Sequence, residues 1–154
     1  MAQDVTTLTD RWIGATSADG AATRCRTRYQ REAGILPTQV KGVRNRPTVE
    51  ALHAAAFLTG QLVAGSQLRV VDDTRKLWIL PWRRGSGTSE AHMPPWMTFG
   101  QVLLQFIEMA TRADDRKTLD NALKLVNVTK GGGYAAIIYT DGYNAEYFGD
   151  ELPY

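Results

Sequence analysis

The 154-residue sequence is poor in the side chains that build metal and redox sites. It holds one cysteine, Cys25, and two histidines, His53 and His92, without ligand-like spacing among them. One cysteine cannot form an internal disulfide, and a closed zinc site draws four ligands mainly from cysteine and histidine. We therefore expect no metal site and no metal or organic cofactor.

Long apolar runs are missing as well. None approaches the roughly 20 residues that span a bilayer, and the opening MAQDVTTLTD lacks the charged and apolar regions of a signal peptide. With 44% hydrophobic and 22% charged residues, the composition is that of an ordinary globular protein. We expect one soluble domain over residues 1–154 with no membrane partner, located inside a cell or, if the protein is viral, in the virion.

Catalytic signatures are weak. The carboxylate pairs Asp72-Asp73 and Asp114-Asp115 could serve acid-base or metal-dependent chemistry, but each lies where a turn or a helix N-terminus favours aspartate. A small hydrolase using Asp72, Asp73 and His53 is the least favoured interpretation, because no nucleophile lies at a suitable spacing from a base. We expect no enzyme activity and assign no catalytic residue.

The strongest signal is an uneven distribution of charge. The chain has a net charge of +2, yet residues 1–86 hold 13 basic and 7 acidic side chains, whereas residues 87–154 hold 5 basic and 9 acidic ones. Eleven of the 13 basic residues in the first part are arginines. Arginine presents a planar fork that suits phosphate and stacks on flat rings, so this bias favours recognition of a polyanion.

Hydrophobic periodicity predicts an α+β fold that is mainly helical. Helical patterns cover residues near 21–33, 48–64, 98–113 and 115–127. Alternating segments on either side of residues 72–75 predict a β-hairpin near 67–80, and YAAIIYT predicts a strand near 134–140. We interpret residues 1–20 as an N-terminal arm and residues 143–154 as an acidic, aromatic C-terminal tail.

The stretch RCRTRYQR, residues 24–31, contains four arginines in eight residues. In a helix Arg24, Arg28 and Arg31 share one face, and in an extended chain Arg24, Arg26 and Arg28 do. Either geometry clusters like charges, which is unfavourable unless an anion or an acidic surface compensates them. The bland alternative is a solvated helix face.

Two further basic clusters reinforce this signal. Lys41, Arg44 and Arg46 lie just before the second predicted helix, whose free N–H groups attract anions. Arg83 and Arg84 follow the predicted hairpin. Single-stranded nucleic acid stacks on flat rings interleaved with arginines, so Tyr29 and Trp82 are candidate stacking residues. The alternative for Trp82 is a place in the core beside Trp78.

The acidic C-terminal segment predicts self-association. A basic surface on one subunit can meet an acidic surface on the next, which produces rings or filaments. Aromatic side chains are common interface anchors, and the segment supplies four candidates. They are Tyr143, Tyr147, Phe148 and Tyr154.

Together these features favour a non-enzymatic, self-assembling protein of the coat or nucleoprotein kind that binds nucleic acid. The nucleic acid is expected to be single-stranded, either RNA or DNA, with weak sequence preference, because phosphate contacts carry no base information. The alternative is a regulatory or adaptor module whose basic surface binds an acidic protein partner.

Overall fold

A computed structural model describes residues 4–38, 48–63, 65–86 and 93–149 of the chain. Within these ranges the fold is α+β and mainly helical, as predicted. The helices are α1 (Val5–Thr16), α2 (Gly20–Glu32), α3 (Ala51–Val63), α4 (Val70–Trp78), α5 (Phe99–Ala110) and α6 (Ala113–Ala122), with a 3₁₀ turn at Gln67–Arg69. The strands are β1 (Trp82–Ser86), β2 (Leu123–Val128), β3 (Tyr134–Tyr139) and β4 (Asn144–Phe148).

Short polar side chains fix where several helices begin. Asp4 accepts a hydrogen bond from the backbone N–H of Thr7 at 2.7 Å, and Asp19 accepts one from that of Ala22 at 3.0 Å. Each bond satisfies a backbone donor that has no partner within its helix. The predicted helices near 21–33, 48–64 and 98–113 are confirmed as α2, α3 and α5.

The four strands form one antiparallel sheet in the order β1-β4-β3-β2. Its inner face packs against α3, α4 and α5 through a hydrophobic cluster that includes Val63, Leu77, Phe99, Ile137 and Tyr147. The helices α1 and α3 share a second, smaller cluster around Val5, Leu36 and Phe57, with Trp12 against it. Because α3 supplies residues to both clusters, it lies between α1 and the sheet.

The predicted β-hairpin near 67–80 is wrong. The structure has the 3₁₀ turn there, followed by α4, which buries Val70, Thr74 and Leu77 at the spacing of one helical face. Asp72 and Asp73 lie in the first turn, where the helix dipole favours negative charge. The apolar residues of this segment fit the alternation of a strand as well as the spacing of a helix, and the segment folds as a helix.

Three other boundaries also differ from the prediction. The helix near 115–127 is α6, which ends at Ala122, and residues 123–128 continue directly as β2. The N-terminal arm contains the twelve-residue helix α1. Residues 144–148 of the predicted tail form β4, a central strand of the sheet, while the strand near 134–140 is confirmed as β3.

The turn between β2 and β3 uses two glycines in left-handed conformation. Gly131 has φ +88° and Gly132 has φ +74°. The Gly131 N–H donates to the Val63 carbonyl at 2.9 Å, which attaches the turn to the end of α3. A Cβ on Gly132 would lie 2.8 Å from the backbone oxygen of Asp73, whereas a Cβ on Gly131 would meet nothing within 4 Å.

Alanine variants of these two glycines allow the cost of backbone strain to be measured separately from the cost of a steric clash. Gly131→Ala and Gly132→Ala each force a side chain into the left-handed region, which costs about 1–2 kcal/mol of unfolding free energy. Gly132→Ala also collides with the backbone of α4, so we expect it to cost roughly 1–3 kcal/mol more. Urea denaturation of both variants measures the difference. Equal losses of stability would contradict the close approach of this turn to α4.

Candidate nucleic-acid interface

A groove between α1 and α2 collects two of the predicted phosphate-binding arginines. Arg24 and Arg31 are seven residues apart on α2, so they lie on one face about 10 Å apart along the axis. Their side chains border a groove of about 160 Å³, with hydroxyl and carboxylate groups from α1 opposite. The residues that line it are Thr6, Thr9, Asp10, Arg24, Thr27 and Arg31.

Arg24 has a weak internal partner. Its guanidinium lies 3.6 Å from the Asp10 carboxylate, and both side chains are more than half exposed, at 64% and 60%. Exposed ion pairs contribute little to stability because water and salt screen them. An incoming phosphate can therefore compete for Arg24 at small energetic cost.

Arg31 is held against α1 with part of its donor capacity unused. One terminal nitrogen donates to the Thr6 hydroxyl at 3.3 Å. Its Nε is shielded from solvent and has no acceptor among the described residues. A buried donor without an acceptor is unfavourable by about 1–3 kcal/mol, and a shift of the side chain that lets an anion bond Nε and a terminal nitrogen together would remove this cost.

The other residues of RCRTRYQR point elsewhere or are already paired. Arg28 lies 3.7 Å from Glu32 and over the Tyr29 ring at 5.3 Å, and its hydrogen bond to Tyr29 raises the pKa of Arg28 above its usual value. Arg26 lies on another side of α2 and donates to Gln61 of α3 at 3.1 Å. The helix therefore brings Arg24 and Arg31 together and separates Arg26 from them.

The β1 arginines belong to a different surface. Arg84 binds the carboxylate of Glu146 on β4, which also accepts a hydrogen bond from the Tyr134 hydroxyl at 2.6 Å. Arg83 donates from Nε to the Phe148 carbonyl at 3.0 Å. Neither Arg83 nor Arg84 is among the residues that line the α1–α2 groove. The predicted residues Lys41, Arg44 and Arg46 lie outside the described residues.

A bulge in β1 decides which way its side chains face. Trp82 lies opposite Tyr147 and Arg84 lies opposite Glu146, with an irregularity between them. Trp82 packs against the inner cluster, as does Trp78 from α4, whereas Arg84 lies on the outer face. The core interpretation of Trp82 therefore fits its position better than base stacking does.

The predicted self-association anchors divide between the core and the surface. Tyr147 is 0% exposed and contacts Phe99 edge-on at 5.7 Å, so it packs within its own subunit. Tyr143 lies over Gly85 of β1. Phe148 is half-buried on the outer face, and Tyr154 lies outside the described residues.

The side chains considered for catalysis occupy structural positions. His53 accepts a hydrogen bond from the Glu50 N–H at 3.1 Å at the start of α3. Asp114 and Asp115 lie in the first turn of α6, as Asp72 and Asp73 do in α4. Across the described part of the chain, no three His, Cys, Asp or Glu side chains are grouped to hold a metal ion, and no helix is long and apolar enough to span a membrane.

The sequence interpretation missed the partners of the arginines. Thr6, Thr9 and Asp10 were assigned to an arm, although Asp4 followed by an apolar stripe is a helix-start signal. Glu146 and Tyr134 become neighbours through the β3–β4 hairpin, in which Ala136 pairs with Glu146. The pairing is centred on Asp141, whereas a two-residue Asp141-Gly142 turn would pair Ala136 with Tyr147.

Comparisons with protein-family models, with curated proteins and with solved structures give no match for this chain. The candidate site is therefore defined by the geometry of the described residues.

The Glu146 cluster gives a prediction about pH. Hydrogen bonds from Arg84 and then Tyr134 lower the pKa of Glu146 below its usual 4.5. The stabilisation that ionised Glu146 contributes is fully present above the pKa of this group in the unfolded state. It is lost as the pH falls through the lower pKa of Glu146 in the folded state. Urea titrations between about pH 5 and pH 3 should show a smaller loss of stability in Glu146→Gln than in the wild type. Glu108→Gln, which removes the same charge from α5, is the control, and an identical response of both variants would contradict the role of this cluster.

Proposed function

We propose that the protein is a non-enzymatic nucleic-acid-binding protein whose phosphate contacts come from the groove between α1 and α2. The observation that carries this proposal is the placement of Arg24 and Arg31 on the same side of a groove whose lining also includes three threonines. Arg31 holds an unsatisfied Nε–H donor at that position. The guanidinium groups of Arg24 and Arg31 and the Thr6 hydroxyl match the oxygens of a phosphate, whereas the Thr9 and Thr27 hydroxyls already donate to backbone carbonyls.

The groove favours phosphate over a small organic ligand. Its lining side chains are threonines, arginines and one aspartate, with no aromatic ring among them. Organic ligands usually bind in predominantly apolar pockets. Contacts of this kind attach the protein to a nucleic-acid backbone and carry little sequence preference.

An acidic protein partner is the second candidate. Arg24 and Arg28 already lie within 3.6 Å and 3.7 Å of carboxylates of their own chain. Acidic side chains of another protein could take the same positions, as in an adaptor module. Nucleic acid is favoured because two arginines and the Thr6 hydroxyl occur together in the groove.

The proposal predicts a salt dependence of binding. With Arg24 and Arg31 as two phosphate contacts, affinity for a single-stranded oligonucleotide should fall roughly sevenfold between 50 and 200 mM salt, and each further contact should increase this factor. Arg24→Gln/Arg31→Gln should weaken binding and lower the salt slope by roughly 1.4, about 0.7 for each lost contact. Fluorescence anisotropy measures both quantities.

The matched control is Arg116→Gln/Lys117→Gln, which removes the same charge from the exposed surface of α6. We expect this variant to keep the wild-type salt slope. A flat salt response of the wild type would refute nucleic-acid binding. Equal effects of the two double variants would refute the groove as the site, and binding of polyglutamate in preference to the oligonucleotide would favour the adaptor.

The coat-like form of the proposal also includes self-association. Opposite net charges in the two parts of the sequence favour contacts between subunits. Light scattering at about 50 mM salt should then give a mass above that of the 17.1 kDa monomer, and the mass should fall at high salt. A monomer at high concentration at both salt concentrations, with and without oligonucleotide, would refute self-association. The proposal of nucleic-acid binding would not be affected by that result.

A further inference from the structure

The outer face of the sheet carries a group of side chains that the α1–α2 groove does not use. The register places Tyr134, Ala136 and Ile138 of β3 beside Phe148, Glu146 and Asn144 of β4. None of these six belongs to either hydrophobic cluster of the described residues. On the neighbouring strand β2, Leu125 is 50% exposed.

Two aromatic rings lie side by side on this face. Tyr134 and Phe148 are directly opposite in the β3–β4 ladder, with ring centroids 6.4 Å apart and planes inclined by 16°. The Arg84 guanidinium lies 5.7 Å from the centre of the Phe148 ring. Both rings are only partly buried, so this stacked pair, with the Arg84 guanidinium over the Phe148 ring, is partly open to solvent.

The charges of this surface cancel locally. Glu146 is largely covered, with 14% of its side chain exposed, and it is bonded to both Arg84 and Tyr134. Burial, followed by the hydrogen bond to Glu146, raises the pKa of Tyr134 to about 12, so the phenol stays neutral at physiological pH. The surface therefore offers neutral rings rather than an excess of positive charge.

A second copy of the chain is a poorer occupant. Interface cores are depleted in glutamate, and Glu146 lies at the centre of this group. The Arg84 side chain is 59% exposed and can donate to a polar ligand. Nucleobases combine an aromatic face with polar edges, and both suit this surface.

We propose that the outer face of the sheet stacks bases of single-stranded nucleic acid on the Tyr134–Phe148 pair. This inference rests on the proposed function, because the α1–α2 groove supplies the phosphate attraction. The groove holds the backbone, and the rings distinguish a strand that has unpaired bases from one that lacks them.

The experiment compares two oligonucleotides of equal length and charge. One is a fluorescein-labelled oligothymidylate of about twenty nucleotides, and the other has abasic residues at every position. We expect the wild type to bind oligothymidylate about tenfold or more tightly by fluorescence anisotropy, since each stacked base adds affinity. Phe148→Leu should bring this ratio close to one and leave the abasic affinity unchanged.

Three variants control for other causes. Phe148→Tyr and Tyr134→Phe each keep both rings and should keep the ratio. Leu125→Ala removes an exposed apolar side chain from the same face and should keep it too. If Phe148→Leu fails to fold, photocrosslinking of wild-type protein to a bromouracil-containing oligonucleotide decides the question, because the crosslinks should fall on Tyr134 or Phe148.

The outcomes separate the two proposals. Equal affinity for both oligonucleotides, with Arg24→Gln/Arg31→Gln weakening both, would overturn base stacking and leave the proposed function standing. An undiminished ratio in Phe148→Leu, or crosslinks confined to other segments, would also overturn it. Failure to bind either oligonucleotide would overturn the proposed function and base stacking with it.

Discussion

Burial of the sheet's inner face against α5 is the constraint on which the other elements depend. Phe99 at the start of α5 meets Tyr147 edge-on at the centre of the sheet, and both are fully buried. A Cβ on Gly100 would lie 2.2 Å from the Trp78 ring, so glycine lets α4 pack closely against α5. The sheet, α4 and α5 therefore assemble as one interdependent layer.

This arrangement places the two candidate surfaces on different parts of the molecule. The inner face of the sheet is covered by helices, so only its outer face can present side chains to a ligand. The helix α3 contributes Phe57 to the cluster shared with α1 and Val63 to the cluster beneath the sheet. A strand that contacted both surfaces would have to pass around the α3 layer.

The structure changes how the charge distribution is understood. Arg24, Arg28 and Arg84 each have an acidic neighbour within the chain, namely Asp10, Glu32 and Glu146. Asp10 and Glu32 are already counted in the charge of residues 1–86, so of these three carboxylates only Glu146 reduces the basic excess of that part. Arg31 instead has a hydroxyl partner and, like Arg26, an unsatisfied Nε donor, and neither property is visible in a count of charges.

The helical parts of the fold could be predicted because their signals are local. Apolar spacing and caps such as Thr98 with Gln101, which form a capping box, are encoded within a few residues. The segment at 67–80 was misassigned because its apolar residues fit both periods over so short a length. Burial of Val70, Thr74 and Leu77 against the rest of the fold selects the helix.

The sequence by itself determined the α+β class, the helices α2, α3 and α5, the strand β3 and the concentration of arginines near residue 24. Only the tertiary structure decided that Arg24 and Arg31 face α1 while Arg26 faces α3, since that depends on which side of α2 is covered. It also turned Arg84 outward and Trp82 inward through a bulge. Pairing of β4 with β1 and β3 placed Tyr147 in the core, because strand partners distant in sequence leave no local signal.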